Sequence, residues 1–410
     1  MKTTRFFTRP YIIIIMLYIA SIINYLDRAA ISLSMVYISK DISISVFEKG
    51  MVFSAFSLGY LPFNFLGGFL SDKISPQKLF GICILLWSIL SGLTGATVSL
   101  WQLLVIRFLF GMSEGPLSSN VNKIVNNIFN NKESVTWVSI VDSATPIGTA
   151  LAGILIPALA MKFSWRISFI VIMILGLIWS GLWKFVFREF DELDSEKLDK
   201  RNLLSNNKQK FKISKQQANL FIGITSCYFL YNLLLYFLIS WFPVYLVKVK
   251  TLNPSDLMIL ESLPWLFGSS AMLIGGIFAR KLTLKNTSLN SKYLKMIRFC
   301  LICSSVSTIL LGLVRVYWEI FVLITLCVVA LYFTGGLYWG VINETFSAQK
   351  VGTMGGMMHG FANLATILGP LVVGTIVQTT GQYITAFSFI GLIGIILLIF
   401  SKFLLRETKD

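Results

Sequence analysis

The chain has 410 residues, of which 55% are hydrophobic and only 13% are charged. About a quarter of the residues in a soluble domain are charged, so this composition excludes an ordinary water-soluble protein and indicates a chain with many membrane-spanning helices. The net charge of +16 does not require a nucleic-acid partner, because basic residues collect in the cytoplasmic loops of membrane proteins.

Twelve apolar segments follow one another along the chain, each long enough for a helix that spans the bilayer. The first six are predicted at residues 11–36, 47–70, 79–98, 101–127, 135–161 and 167–187. A charged, aperiodic stretch at 189–215 predicts a cytoplasmic linker. The last six are predicted at 217–246, 256–279, 293–314, 317–343, 353–378 and 382–405. The sequence therefore predicts an all-α membrane protein with an N-terminal six-helix half (1–188) and a C-terminal six-helix half (216–410).

The distribution of Lys and Arg predicts that both termini are cytoplasmic. With that orientation, most of the 35 basic residues lie on the cytoplasmic side. Seven lie on the opposite side: Lys40, Lys49, Lys162, Arg166, Lys248, Lys250 and Arg315. This bias sets the orientation of membrane proteins, and it predicts a multi-pass protein of the cell (inner or plasma) membrane.

The two halves share a faint repeat of glycines. Matching pairs occur at Gly67-Gly68 and Gly275-Gly276 in the second and eighth helices, and at Gly148/Gly153 and Gly369/Gly374 in the fifth and eleventh. Paired small residues let membrane helices approach closely. Two related six-helix halves are typical of transporters whose site lies between the halves near mid-membrane.

Four charges fall in the interior of predicted helices of the first half. Asp27 and Arg28 lie in helix 1, and Arg107 and Glu114 lie two turns apart in helix 4. A charge at the bilayer centre costs at least about 2.5–3.5 kcal/mol, so these residues are candidates for function. The alternative is that they only form structural pairs between helices.

Depth along the helices predicts how the four charges pair. Asp27 and Arg107 fall at similar depth, so we expect them to form an ion pair. Arg28 points about 100° away from Asp27 and is expected to be free for an anion, since guanidinium matches carboxylate geometry. Glu114 has no cation at its own level and is predicted to carry a proton, because burial disfavours the carboxylate anion.

The summed charge predicts coupling between an anion and protons. The four residues total zero when both acids are ionised, and protonation of Glu114, then Asp27, makes the cluster positive. Anion binding and proton binding then favour each other by linkage. The sequence predicts a proton–anion symporter that works by alternating access.

The residues around these charges resemble a known family. The motifs are NYLDR in helix 1, RFLFGMSEGP (107–116) in helix 4, SATPIGTALAG (143–153) in helix 5 and FSWRISF (163–169) at helix 6. They are similar to the anion:cation symporter family of the major facilitator superfamily, which includes bacterial sugar-acid uptake systems and animal vesicular glutamate and sialic acid transporters. The C-terminal half resembles the family mainly in layout and in HGFANLATILGPLVVG.

The resemblance implies roles for individual residues. Arg28 would bind the substrate carboxylate, and Asp27 would pair with Arg107. Glu114 would couple protons, with Asp27 as a second proton site. Tyr25 and Asn363 match further substrate-binding positions.

The loop between helices 2 and 3 resembles the superfamily's gating loop in Asp72 and Lys73, although Ser75 replaces the usual glycine. Weaker cavity candidates in the second half are Asn232, Tyr236, Trp265, Tyr338, Trp339 and Asn343, and His359 is expected to be a helix-end contact.

We therefore expect a secondary transporter, not an enzyme, that takes up a small organic anion such as a sugar acid with protons. Its expected partners are that anion, protons and the lipid bilayer, and the protein is expected to be a monomer. No cofactor, metal or nucleotide is expected, because the sequence has no Walker-type phosphate loop. Proton-antiport efflux of a metabolite, drug or metallophore is the alternative, and a non-transporting sensor on the same fold is a third hypothesis.

Overall fold

The computed structural model describes residues 3–129, 131–188, 213–249, 254–283 and 289–404, and all regular elements in these ranges are α-helices. The first half contains α1 (Thr3–Asp41), α2 (Val46–Lys73), α3 (Pro76–Gly95), α4a (Leu100–Glu114), α4b (Leu117–Ile128), α5a (Asn131–Asp142), α5b (Ala144–Lys162) and α6 (Trp165–Arg188). The second contains α7 (Lys215–Val249), α8a (Pro254–Leu260), α8b (Leu263–Thr283), α9 (Leu289–Leu313), α10a (Tyr317–Thr334), α10b (Leu337–Thr345), α11 (Ala348–Thr380) and α12 (Tyr383–Leu404).

The predicted twelve-helix membrane fold is confirmed, and four of the twelve helices are broken near their middle or at one end. Within the described residues, ten helices are long and apolar enough to cross a membrane, and α2 and α4 complete the six helices of the first half. Most of the predicted linker, residues 189–212, lies outside the described residues. Its last residue, Lys215, already belongs to α7.

Local sequence explains where helices begin and break. Ser45 and Glu48 form a reciprocal capping box at the start of α2, which satisfies backbone N–H groups that have no partner inside the helix. The break in α4 falls at Gly115-Pro116, because proline has no N–H for the helical ladder. The break places Glu114 at the end of α4a, inside the bundle.

A reciprocal pair of glycines brings α2 and α4 into close contact. A Cβ atom on Gly111 would lie 1.9 Å from the Phe56 carbonyl oxygen, and one on Gly59 would lie 2.0 Å from the Phe108 carbonyl oxygen. Only glycine allows backbones to approach this closely. This crossing fixes the position of α4a, which carries Arg107 and Glu114.

The repeated glycines occupy equivalent positions in the two halves. Gly148 of α5b packs against the Ile22 carbonyl of α1, with 2.3 Å between that oxygen and a Cβ placed on the glycine. Gly369 of α11 packs against α7 through a side chain, with 2.9 Å between a Cβ placed on the glycine and Leu233 Cδ1. The faint repeat in sequence therefore corresponds to the same helix pairing, fifth against first, in each half.

The second glycine of each pair lies at the interface between the halves. A Cβ on Gly153 would lie 2.3 Å from the Glu261 carbonyl oxygen in the α8a–α8b break, and one on Gly374 would lie 3.2 Å from the Val46 carbonyl oxygen. Both contacts lie at the end of the bundle that carries the α1–α2 and α7–α8 connections, called the outer end here. The halves are thus packed together at the outer end.

Candidate functional site

Asp27 and Arg28 lie next to each other on α1, and both are buried. They turn to different partners because successive side chains on a helix diverge by about 100°. Asp27 Oδ1 accepts a hydrogen bond from Ser91 Oγ of α3 at 3.0 Å. Arg28 Nε donates to Glu114 Oε2 of α4a at 2.8 Å. The predicted divergence of the two side chains is confirmed.

The predicted pairing, however, is wrong in this conformation. Arg28 is not free, and Glu114 has a cationic partner: the two form a buried ion pair whose side chains are 8% and 0% exposed. The depth argument placed Glu114 below the Arg28 level, but the long arginine side chain spans the difference. A comparison of residue positions along the helix axes therefore underestimated the distance over which an arginine side chain can reach a carboxylate.

Arg107 does not form the expected ion pair with Asp27. No ion pair within 4.0 Å joins them among the described residues, although their charges interact across the interior. The Arg107 side chain is 2% exposed, and its Nε and Nη1 have no hydrogen-bond partner within the described protein. A buried guanidinium with unused donors is costly unless an anion engages it. Arg107 is therefore the unpaired cation of the site, a role that the sequence analysis gave to Arg28.

Aromatic rings hold both guanidinium groups. The Arg28 Cζ lies 5.0 Å from the ring centroids of Tyr25 and Phe56 and 4.9 Å from that of Tyr60. The Arg107 Cζ lies 5.2 Å from the same Phe56 ring. Such contacts stabilise a desolvated cation. Tyr25 was predicted at the site; Phe56 and Tyr60 were missed, and their spacing of four residues on α2 was the only available signal.

The second half supplies a direct contact to this cluster. Arg28 Nη1 donates to the Tyr236 hydroxyl of α7 at 2.8 Å. Tyr236 was a weaker sequence candidate, and the structure brings it to the centre of the site. One guanidinium thus joins α1, α4a and α7, which belong to both halves.

α11 forms a second wall of the interior. His359 Nδ1 lies 3.2 Å from the Tyr228 hydroxyl of α7, so this histidine contacts another helix inside the bundle and is not a helix-end contact. Asn363 Nδ2 donates to the His359 carbonyl one turn earlier, at 2.8 Å. Asn363 is buried on the same helix as His359, but no contact with Arg28 places it in the cluster.

The remaining weaker candidates divide into buried and exposed residues. Asn232, Trp265 and Tyr338 are buried, whereas Trp339 and Asn343 are exposed. The predicted gating-loop residues lie at the end of α2. The side chain of Asp72 lies outside the described part of the chain, and Lys73 is the last residue of the helix.

Fold and site together define a class. Two six-helix halves enclose a buried, charged and aromatic site to which both halves contribute, and ten helices can cross a bilayer. This is a polytopic membrane transporter.

Comparison with known proteins gives the family. The Major Facilitator Superfamily model matches residues 17–358, and the chain belongs to that superfamily. It is 37% identical to a hexuronate transporter of Bacillus subtilis, with 92% of this chain and 90% of the relative covered. It is 26% identical to a probable galactarate/D-glucarate transporter, GarP, of Escherichia coli, with 97% and 95% covered. These relatives confirm the resemblance to anion:cation symporters.

A solved structure supports the fold. The chain is similar to a bacterial homologue of the human lysosomal transporter Spinster in an inward-facing and occupied conformation. The TM-score is 0.75 with 16% identity, and 98% of this chain and 97% of that chain are covered. Together with the superfamily match and the transporter relatives, the fold confirms the predicted transporter class and the multi-pass membrane location.

Proposed function

We propose that the protein is a proton-coupled symporter that takes up a small sugar acid by alternating access. The observation that carries the proposal is the buried Arg28–Glu114 ion pair, which Tyr236 of the other half completes. The names of the relatives, hexuronate and galactarate/D-glucarate transporters, support a sugar acid as the substrate class.

Coupling follows from competition for one guanidinium. A substrate carboxylate needs the Nε and Nη donors of Arg28, and Glu114 already occupies Nε. Protonation of Glu114 removes its negative charge and releases Arg28 for the substrate. Binding of the anion and binding of the proton then reinforce each other by linkage, and neither is favourable alone in a buried site.

The site charge supports the same coupling. Asp27, Arg28, Arg107 and Glu114 together carry no net charge when ionised, so a bound anion leaves the buried cluster negative unless a proton accompanies it. Asp27 is a second proton site in this proposal, since its Oδ2 has no partner within the described protein. Arg107, with unused donors, provides the second cationic contact for the carboxylate.

Alternating access needs a link between the halves that the substrate can alter. The Arg28–Tyr236 hydrogen bond is such a link, because it joins α1 to α7. A substrate carboxylate on Arg28 changes this contact directly. The binding event is therefore connected to the relative position of the halves.

Transport by purified protein in proteoliposomes tests the proposal. With an acidic exterior and a neutral interior, we expect D-glucuronate or D-galacturonate to accumulate inside, and a protonophore to abolish the accumulation. The matched control is protein with Arg28→Ala, which removes the carboxylate contact. Exchange of labelled sugar acid with no effect of the pH gradient would contradict proton coupling, and accumulation only with an acidic interior would indicate antiport.

A further inference from the structure

We propose that Asn64 is a positioning residue of the anion site, and that its side-chain amide fixes the Tyr60 hydroxyl as a hydrogen-bond donor to the bound sugar acid. The inference rests on the proposed function, because it concerns the same site and the same class of substrate. It arises from two hydrogen bonds that a single amide nitrogen makes, one within α2 and one to the break in helix 4.

The Tyr60 ring is part of the wall around Arg28. Its centroid lies 4.9 Å from Arg28 Cζ. The ring stacks on Phe56, with 5.6 Å between the centroids and 29° between the planes. Tyr60 is buried, so packing sets the orientation of its ring. A carboxylate that binds Arg28 therefore lies close to the Tyr60 side chain.

Asn64 lies about one turn after Tyr60 on α2, and its amide reaches two acceptors. Asn64 Nδ2 donates to the Tyr60 hydroxyl oxygen at 3.1 Å and to the Gly115 carbonyl oxygen at 3.4 Å. A backbone carbonyl oxygen can only accept a hydrogen bond. The atom that faces both acceptors must therefore be the amide nitrogen and not the amide oxygen, and the contact with Gly115 decides which way round the amide lies.

Packing at the break in helix 4 holds Asn64 in this place. A Cβ on Gly115 would lie 2.5 Å from Phe63 Cβ and 2.8 Å from the Asn64 backbone nitrogen, so the two backbones are in direct contact. The same packing continues further along α2, where a Cβ on Gly67 would lie 2.5 Å from Pro116 Cα. Close helix contacts of this kind need glycine. The Gly115 carbonyl is thus a fixed anchor for the Asn64 side chain.

The bond from Asn64 sets the direction in which Tyr60 donates. Because the Tyr60 oxygen accepts from the amide, its own hydrogen must point away from Asn64. No acceptor for that hydrogen is found among the residues that the structure describes. The site therefore holds an unused O–H donor beside Arg28, and an oxygen atom of a sugar acid is a matching acceptor. Without the amide the hydroxyl rotates freely, and substrate binding must also order it.

The alternative is that Asn64 only ties α2 to the break in helix 4. A double-mutant cycle between Asn64 and Tyr60 separates the two roles. The variants are Asn64→Leu, which has a similar size but no hydrogen-bonding group, Tyr60→Phe, and the combination of both. Asn64→Ala replaces Asn64→Leu if the leucine variant does not fold. Calorimetric titration at acidic pH gives the affinity of each purified protein for D-glucuronate.

The inference predicts that the effect of Asn64 depends on the Tyr60 hydroxyl. Tyr60→Phe should weaken binding at least about tenfold, as expected for the loss of a hydrogen bond to a charged group. Asn64→Leu should weaken it about three- to tenfold, since the hydroxyl remains but is no longer oriented. In the Tyr60→Phe background, Asn64→Leu should change the affinity less than about twofold.

Asn122→Leu is the matched control. It also removes an amide that donates to a backbone carbonyl, that of Ser118 at 2.9 Å, but at an exposed position on α4b. The affinity for D-glucuronate should stay unchanged in this variant.

The outcomes separate this inference from the proposed function. Equal weakening by Asn64→Leu with and without the Tyr60 hydroxyl would overturn the inference, and so would unchanged affinity in the folded single variant. Melting temperatures of the four ligand-free proteins test the contact without substrate: the combined loss should be smaller than the sum of the single losses, and additive losses would contradict the hydrogen bond. Absence of binding of both D-glucuronate and D-galacturonate to the unmodified protein would contradict the proposed function, while the melting temperatures still decide whether Asn64 holds Tyr60.

Discussion

Substitution Glu114→Gln tests the coupling mechanism most directly. The variant removes the negative charge that holds Arg28 at 2.8 Å and keeps the shape of the side chain. A neutral amide imitates protonated Glu114 at every pH. We therefore expect the variant to bind substrate as the unmodified protein does at acidic pH.

The expected pH dependence of substrate affinity follows from the binding of one proton with each anion. If one proton enters with each anion, substrate affinity falls about tenfold per pH unit once Glu114 is ionised in the substrate-free protein, which is about 1.4 kcal/mol per unit. In Glu114→Gln this slope should be absent. Accumulation driven by a pH gradient should be lost, while counterflow exchange continues.

The thermal stability of the substrate-free protein should fall in Glu114→Gln, although its substrate affinity at neutral pH should rise. Removing one partner of a buried ion pair costs about 3–5 kcal/mol, and we expect the lower end because the amide oxygen can still accept from Arg28 Nε. A substrate carboxylate restores the missing negative charge. The stabilisation that substrate provides should thus be larger in the variant than in the unmodified protein.

Two measurements check these expectations. Calorimetric titration of a sugar acid between pH 5.5 and 8.5 gives the slope of affinity, and thermal unfolding with and without ligand gives the stabilisation. Glu319→Gln, an exposed acid in the first turn of α10a, is the matched control and should keep the original slope. A tenfold fall per pH unit in Glu114→Gln would refute the assignment of the coupled proton to Glu114.

Three further predictions concern the surroundings of this pair. Arg28→Ala should remove measurable sugar-acid binding in calorimetry, and unchanged affinity would show that the carboxylate binds elsewhere. Tyr236→Phe removes the acceptor for Arg28 Nη1. Because a hydrogen bond to a charged group is worth about 1.5–3 kcal/mol, the thermal stability of the substrate-free protein should fall. An unchanged melting temperature would argue against a contribution of this bond. Gly111→Val should prevent the α2–α4 crossing, because its Cβ would lie 1.9 Å from the Phe56 carbonyl oxygen. Size-exclusion chromatography should then show aggregated protein. A monodisperse, active variant would contradict the packing argument.

The amino-acid sequence was enough to predict the helices of this fold. Runs of apolar residues must form helices in a bilayer, because lipid offers no hydrogen-bond partner for the backbone. The same rule made Asp27, Arg28, Arg107 and Glu114 conspicuous, since charges at these depths are costly. The paired glycines at 148/153 and 369/374 also predicted the equivalence of the two halves.

The pairing of the buried charges depends on how the helices pack against one another. Residue spacing gives depth and direction on one helix. Arg28 reaches Glu114 because the long arginine side chain extends across the gap between α1 and α4a, whose position is set by the glycine crossing of α2 and α4. The partner from the other half, Tyr236, is 208 residues away in sequence, so no local pattern predicts the contact.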